Sequence, residues 1–420
     1  MSLEKTFCSS PWIHMRITND GRYSYCRWSD KTDTNIGIQD ASPKEFFQTH
    51  MEPVRQALLA GNVVAGCGEC HKMEQHGKVS GRQRQLLKIG VDPTNFAKTL
   101  VSSPWVPVFA NGFDQLPQDW QIDLGNYCNS ACIFCIPESS SRLATEWQRI
   151  GFIDQLPLPN WTDDPALVAQ FVDTLRQTPH IQYLHFIGGE TLITPAFKTI
   201  LSALVESGLN RTATIGFTTN LTVWDDAVVE LLTKFSNVNL GVSFETLTPL
   251  NDYVRWPSKL PQVLECLQQW RNLAQKQGWL FQIRTTPTLF TVGHLLKVYD
   301  YAWDHNLNVE SCNFLEKPEF QRPTVLPMSH RQPIIESMQA WIDQRKVSND
   351  TVINTRDPNL VHQQLVQDLE SYVNYLRNEP DESHRLPDLV DFVKKLEASR
   401  HNCVLDYLPE YEELFRTAGY

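Results

Sequence analysis

No stretch of the chain approaches the roughly 18 consecutive apolar residues that a membrane span requires. The opening segment, "MSLEKTFCSSPW", has no apolar signal-peptide core. These two absences make a cytoplasmic protein, with no membrane partner, the expectation. Basic charge is also in short supply: 37 Lys and Arg stand against 48 Asp and Glu, a formal net charge of −11. That balance argues against nucleic acid as a partner, because phosphate binding draws on local basic excess; only residues 72–88, "KMEQHGKVSGRQRQLLK", are clearly basic. Internal repeats and low-complexity segments are lacking, which excludes a solenoid or a disordered tether. No glycine-rich fingerprint follows the first expected strand, which disfavours a dinucleotide-binding sheet. What remains is an ordinary globular composition, 41% hydrophobic and 20% charged, in a chain of 420 residues. That length suffices for two or three domains whose cores need no disulfides.

Cysteine, by contrast, is plentiful. The chain has ten, and in a reducing compartment they are not expected to form a disulfide framework. Cys266, in "PQVLECLQQWRNL", reads as a small buried hydrophobe. Cys312 and Cys403 stand alone, whereas the other seven fall in a pattern. Cys8, Cys26, Cys67 and Cys70 occupy the first 70 residues, and "CNSACIFC" places Cys128, Cys132 and Cys135 within eight. Three thiolates so close suggest a metal site whose fourth ligand either lies elsewhere in the chain or is left open, although C-x2-C elements also bind structural zinc.

The cluster can be placed by periodicity. "QIDLGNY" (121–127), "IQYLHFIGG" (181–189), "TATIGFTTN" (212–220), "NVNLGVSFE" (237–245), "WLFQIRTTP" (279–287) and "NVESCNFL" (308–315) read as short buried strands. Helical patterns at 164–177, 195–208, 225–235, 258–276 and 293–305 separate them. This alternation predicts parallel strands with right-handed crossovers, an α/β fold and, at six units, a partial (β/α)6 barrel. Cys128–Cys135, Gly188-Gly189-Glu190, Thr219-Asn220 and Ser243–Glu245 all fall at the C-terminal ends of expected strands. Those ends share one rim, where the active sites of such barrels form.

These elements resemble the radical SAM enzymes. "CNSACIFC" has the family's C-x3-C-x2-C spacing with Phe134 before the last cysteine, "GGETL" resembles its Gly-Gly-Glu element, and "VSFETLTPLNDYVRWP" is similar to its element after strand four. The resemblance covers residues 118–315. It implies a 4Fe–4S cluster on Cys128, Cys132 and Cys135 whose fourth iron is chelated by S-adenosylmethionine. An electron from the cluster would then cleave the cofactor to a 5′-deoxyadenosyl radical that abstracts hydrogen from an unactivated C–H. The resemblance also implies that Gly188 and Gly189 let the backbone approach the methionine end, since neither has a side chain. Glu190 would accept from the cofactor's ammonium and Arg255 would clasp its carboxylate. Asn220 and Ser243 would hold ribose or methionine groups, and Phe134 the adenine edge. Glu245 departs from the family's commoner Asp followed by Gly.

Ahead of the barrel, Cys8 and Cys26 flank two expected strands around an Asn-Asp-Gly turn, and Cys67-Gly-Glu-Cys70 follows a helical stretch. "CSSPW" and "CGECHKMEQHGKVSGRQ" resemble the twitch or SPASM-type auxiliary-cluster modules, here preceding the barrel. The four thiolates would hold a second 4Fe–4S cluster; zinc is the alternative, since both accept four sulfurs. His71 is a substitute ligand by type, though beside Cys70 it reads better as a neighbour. Residues 1–95 form this expected module, 96–120 an ordered linker, 121–315 the barrel and 316–420 a helical region that caps the barrel or binds a partner.

The reaction after hydrogen abstraction is open: cross-linking, epimerisation, oxidation or cleavage. Cys312, at the end of the sixth strand, is placed for the hydrogen donation an epimerase needs, although a buried thiol has the same pattern. Glu245, Glu310 and Arg284 are the acid–base or substrate candidates. The resemblance points to a ribosomally made peptide as substrate, with a flavodoxin or ferredoxin as electron donor. The few residues before Cys8 leave no room for a leader-binding domain, so a separate leader-peptide-binding protein is a further partner. A small polar metabolite, such as a sugar or nucleoside, is the alternative substrate. A non-catalytic metal-binding scaffold is the alternative class.

Overall fold

Eight short strands share one sheet in the order β2-β1-β3-β4-β5-β6-β7-β8. They are β1 His14–Ile17, β2 Tyr23–Ser24, β3 Asp119–Asp123, β4 Tyr183–Ile187, β5 Thr214–Thr219, β6 Asn237–Ser243, β7 Leu280–Thr285 and β8 Asn308–Cys312. The computed structural model describes residues 3–27, 35–111, 116–345 and 357–420, without the side chains of 110, 111, 310–312 and 358.

The six expected strands are β3 to β8, all parallel and in chain order. The intervening helices, Pro165–Arg176, Pro195–Glu206, Asp226–Leu232, Leu260–Gln277 and Leu295–Asp304, start and stop for local reasons. Asp164 accepts from the Ala166 amide ahead of Pro165, and Asp225 caps the Ala227 and Val228 amides. Gly278 ends the longest of the five at a φ of 68°, a conformation glycine adopts without a Cβ penalty. The strands are short and nearly wholly buried, as β3 is at all five positions. Parallel strands covered by crossover helices require that.

Two features lie beyond the sequence pattern. First, β3 ends at Asp123 rather than running to Cys128. Second, the N-terminal hairpin joins the barrel sheet. β1 pairs with β2 antiparallel and with β3 parallel, His14 opposite Asp119 and Ile17 opposite Ile122. The edge of β3 carries unpaired amides and carbonyls that β1 satisfies. Asp119 then gathers His14 at 3.5 Å, Arg27 at 3.2 Å and Lys88. The following helices, Gly68–Gln75 and Gly81–Lys88, span from this edge toward the other. Lys78 pairs with Asp368, His76 lies 3.0 Å from Glu379, and Lys72 3.3 Å from Glu316.

The segment 96–120 is helical at Phe96–Ser102 and Val106–Asn111. Toward the C-terminus, helices Met328–Asp343, Val361–Asn378 and Leu386–Arg400 pack outside β8 and behind the cysteine loop. Phe392 sits 5.1 Å from both Phe152 and Phe320 and 5.7 Å from Trp147. Tyr299 donates to Asp368 at 2.7 Å. No helix among the described residues is long and apolar enough to cross a membrane.

Candidate active site

The loop after β3 is redirected by Gly125, whose φ is +119° and where a Cβ would stand 2.6 Å from Asn160 Cγ. Asn160 Oδ1 accepts the Asn126 amide at 2.8 Å. From there the chain runs through Cys128, Cys132 and Cys135 with its carbonyls taken. Arg142 donates to Asn129 O at 3.2 Å, Ser140 Oγ to Ser130 O at 2.7 Å and Arg400 to Ala131 O at 2.7 Å. The Cys135 amide donates to Cys132 O at 3.1 Å, and Gln321 to Ile133 O at 2.6 Å. No carbonyl from 129 to 133 is left to oppose negative sulfur. The Ser130 amide lies 3.4 Å from Cys128 Sγ. The loop is pinned to the β6–β7 connection by Ala131 N to Trp256 O, 2.8 Å, and Ile133 N to Val254 O, 2.9 Å.

Gly188 and Gly189 line the cavity and make a further contact besides. A Cβ on Gly188 would lie 2.6 Å from Gly125 O, and one on Gly189 2.1 Å from Tyr127 O. Their bareness admits the cysteine loop against the end of β4, sealed by Gly189 N to Gly125 O (2.9 Å) and Glu190 N to Tyr127 O (2.7 Å). Glu190 is 1% exposed. It accepts the Asn220 amide at 2.6 Å and the Leu192 amide at 3.2 Å. Burial pushes its carboxyl up to about 7. Two amides leave a carboxylate with lone pairs to spare for an ammonium. Asn220 also turns to the loop, donating to Asn129 Oδ1 at 2.9 Å and Ser130 Oγ at 3.1 Å.

Glu245 and Arg255 form a buried pair, 2.6 Å from Oε1 to Nη2. The other oxygen of Glu245 accepts from Thr285 Oγ1 and the Thr286 amide, both at 2.7 Å. This carboxylate is saturated with donors, and its evident work is to hold Arg255. Arg255 in turn lies 5.3 Å over the Phe134 ring and 3.9 Å from Cys132 Sγ. Its Nε is buried and has no acceptor among the described residues. Ser243, Phe134 and Arg284 line the same cavity. Gly241, which sequence reasoning passed over, makes room for Arg284: a Cβ there would be 2.4 Å from Arg284 Nε. The side chains of Glu310 and Cys312 lie outside the described residues.

These groups surround a cavity of about 910 Å³, bounded by the three cysteines, Gly188-Gly189, Asn220 and, farther out, residues 313–322. Burial pushes the Cys128 thiol up to about 12 and raises those of Cys132 and Cys135. Thiols so placed stay protonated at neutral pH unless a positive partner such as a metal stabilises the thiolate. Among the described residues, no three His, Cys, Asp or Glu side chains converge on a single-ion point. The donor set suits a cluster better, because each thiolate then takes its own iron.

Cys8, Cys26, Cys67 and Cys70 likewise line one small pocket, with Tyr25 and Arg82. The Ser10 amide lies 3.5 Å from Cys8 Sγ. Burial, then the nearby Cys26, pushes Cys70 up to about 12 and raises Cys8 further. His71 is not part of that lining. Glu69, between Cys67 and Cys70, is pushed up to about 8 by burial and by Glu316 pressed against it. Glu316 also lines the large cavity, so the segment carrying Cys67 and Cys70 reaches the edge of that cavity through Glu69.

Residues 122–290 match the family model of the Radical SAM superfamily. Among solved structures, the chain is similar to SuiB of Streptococcus suis bound to S-adenosylmethionine, with 17% identity over 60% of this chain and 51% of that one and a TM-score of 0.35. SuiB bound to precursor peptide SuiA gives 16% identity over 75% and 55%, with a TM-score of 0.37. Native anSMEcpe with bound AdoMet gives 17% over 54% and 62%, with a TM-score of 0.37. The chain thus spans between 51% and 62% of the length of these structures. No curated protein matches. Residues 122–290 are thus read as a radical SAM domain, the part of the chain that the family model covers.

Proposed function

We propose that this radical SAM domain abstracts hydrogen from an unactivated C–H of a peptide substrate, as a post-translational modification. The observation that carries the reading is the convergence of Cys128, Cys132, Cys135, Glu190 and Arg255 on one cavity at the strand ends. A cluster on the three cysteines, with S-adenosylmethionine, would supply the electron and the hydrogen-abstracting power. The chain's own residues do the placing. Glu190 offers a carboxylate, held by the Asn220 and Leu192 amides, to the cofactor's ammonium. Arg255, steadied by Glu245, offers positive charge beside Cys132. Phe134 and Ile136 give the cavity an apolar wall that sheds water.

Two features support a substrate larger than a metabolite. At about 910 Å³ the cavity is near the upper end for small-ligand sites, even before the cofactor takes its share. Its outer part mixes Phe314 and Leu315 with Asn313, Glu316, Lys317 and Arg322, a surface suited to backbone and side chains together. The N-terminal thiols would hold a second cluster, and the contact of Glu69, beside Cys70, with the cavity residue Glu316 supports a role near the substrate. The outcome of the radical step, whether cross-link, epimerisation, oxidation or cleavage, depends on that substrate.

The test is iron and acid-labile sulfide per chain after anaerobic reconstitution, in the wild type and in a Cys128/Cys132/Cys135→Ala variant. About eight irons falling to about four, with reductant-dependent 5′-deoxyadenosine lost in parallel, is the expected result. No 5′-deoxyadenosine from a fully loaded wild type would refute the enzymatic reading in favour of a metal-binding scaffold. Four irons falling to none, with zinc in their place, would reduce the N-terminal thiols to a structural clip.

A further inference from the structure

Arg400 ends the helix Leu386–Arg400, far along the chain from the cysteine loop, yet its side chain is only 1% exposed. It binds Glu146 from the helix Ser141–Arg149 through Nε at 3.0 Å and Nη2 at 2.5 Å, the two-pronged geometry that arginine favours. The same Nη2 donates to Ala131 O at 2.7 Å. The guanidinium lies 5.0 Å over the Trp256 ring, and the Trp256 carbonyl takes the Ala131 amide at 2.8 Å. Both polar groups of Ala131 are thus held by two residues that touch each other.

We propose that Arg400 is a positioning residue for a cluster bound by Cys128, Cys132 and Cys135: it locks the Ala131–Cys132 peptide with its carbonyl outward and its amide toward sulfur, and so raises the cluster's reduction potential. The inference rests on the cluster reading given above. A trans peptide sends its carbonyl and amide to opposite sides, so a carbonyl fixed on Arg400 turns the Cys132 amide the other way. Arg255 Nη1 lies 3.9 Å from the Cys132 sulfur, so positive charge already stands beside this thiol. Arg400 Nη1 is buried with no acceptor among the described residues, so its charge is not fully spent on Glu146. Hydrogen bonds to sulfur and nearby charge are what the protein uses to set a cluster's potential. An apolar contact would join the two helices at least as well, because buried ion pairs are often no better than packed hydrophobes. What the pair adds is the donor delivered to Ala131.

The experiment uses the full, anaerobically reconstituted chain and three readouts: iron content, thermal midpoint, and midpoint potential of the EPR signal that responds to S-adenosylmethionine. Arg400→Met/Glu146→Met leaves no lone buried charge, and Arg400→Lys keeps charge and a donor. The double variant should keep its iron and thermal midpoint while its potential falls by about tenfold in equilibrium terms, 59 mV for one electron. Arg400→Lys should recover part of that shift. Loss of iron from the double variant, restored in Arg400→Lys at an unchanged thermal midpoint, supports the same role. A wild-type potential in a fully loaded double variant overturns the inference and leaves the cluster reading standing. Equal loss of iron and thermal midpoint in both variants reduces Arg400 to a helix clamp. A wild type with no S-adenosylmethionine-responsive signal overturns the cluster reading itself.

Discussion

Substituting Gly189 by alanine tests how the cysteine loop is seated. The new Cβ would lie 2.1 Å from Tyr127 O, 2.4 Å from Tyr127 C and 2.8 Å from Asn126 O. All three are backbone atoms, so no side chain can swing aside. Relief requires the loop to move away by roughly 1.4 Å, to regain an ordinary contact distance of about 3.5 Å. Overpacking of this kind costs about 1–3 kcal/mol. The shift also stretches the Gly189 N to Gly125 O and Glu190 N to Tyr127 O bonds, of 2.9 and 2.7 Å, at about 1 kcal/mol each. The sum is about 3–5 kcal/mol, a large share of a domain's stability. At roughly 1 °C per kcal/mol for a chain of this size, the thermal midpoint should fall by about 3–5 °C. Tyr127 directly precedes Cys128, so iron retention should fall too. Thermal unfolding and iron per chain are the assays, with Gly293→Ala as control, because its Cβ would meet only Ile334 Cδ1 at 3.9 Å. Undiminished iron and an unchanged midpoint in Gly189→Ala would refute the view that these glycines exist to admit the loop.

Glu190 needs its charge to hold an ammonium, and burial places its carboxyl at about 7. S-adenosylmethionine affinity should therefore rise as pH rises through 7, about tenfold between pH 6 and 8, and calorimetry on Glu190→Gln should show a flat, weaker profile. Glu245→Gln leaves Arg255 as a lone buried cation and should cost about 3–5 kcal/mol in chemical denaturation, much of it recovered in Glu245→Gln/Arg255→Met; a neutral single variant would contradict the pairing. Burial lowers His14 to about 4 beside Asp119. The unfolded chain then takes up the proton first, so this group's stability contribution is complete above about pH 6.5 and is lost as pH falls through 6.5 toward 4, up to about 3 kcal/mol. His14→Gln should lose less stability than the wild type between pH 7 and 4.5, and equal losses would rule the histidine out as the cause.

The barrel was legible because its signals are local. Buried strands and capped helices repeat within windows of a dozen residues, and the C-x3-C-x2-C spacing with Gly-Gly-Glu falls in phase with them. The strand limits were less legible: "QIDLGNY" reads as one strand, but Gly125 and the side chain of Asn160, 34 residues on, end it early. Residue type also said little about occupation. Asn220, expected to meet a ligand, lines the cavity and also braces the loop, which its residue type did not announce. Glu245 was expected in acid–base chemistry and is bound on both oxygens.

Arg400 carried no signal at all. Its partner Glu146 is 254 residues away, and a lone arginine at a helix end looks like any solvated charge. The joining of the N-terminal hairpin to the barrel sheet was equally hidden, because strand pairing depends on which edge is left open after the other strands have formed. The sequence by itself determined the order of elements, the rim on which chemistry collects and the thiols available there, since each follows from spacing along the chain. Only the tertiary structure decided which carbonyls turn away from those thiols, which carboxylates are already spent and which distant cation sits behind the loop. Those are matters of contact between segments that share no local pattern, settled when the buried polar groups find their partners.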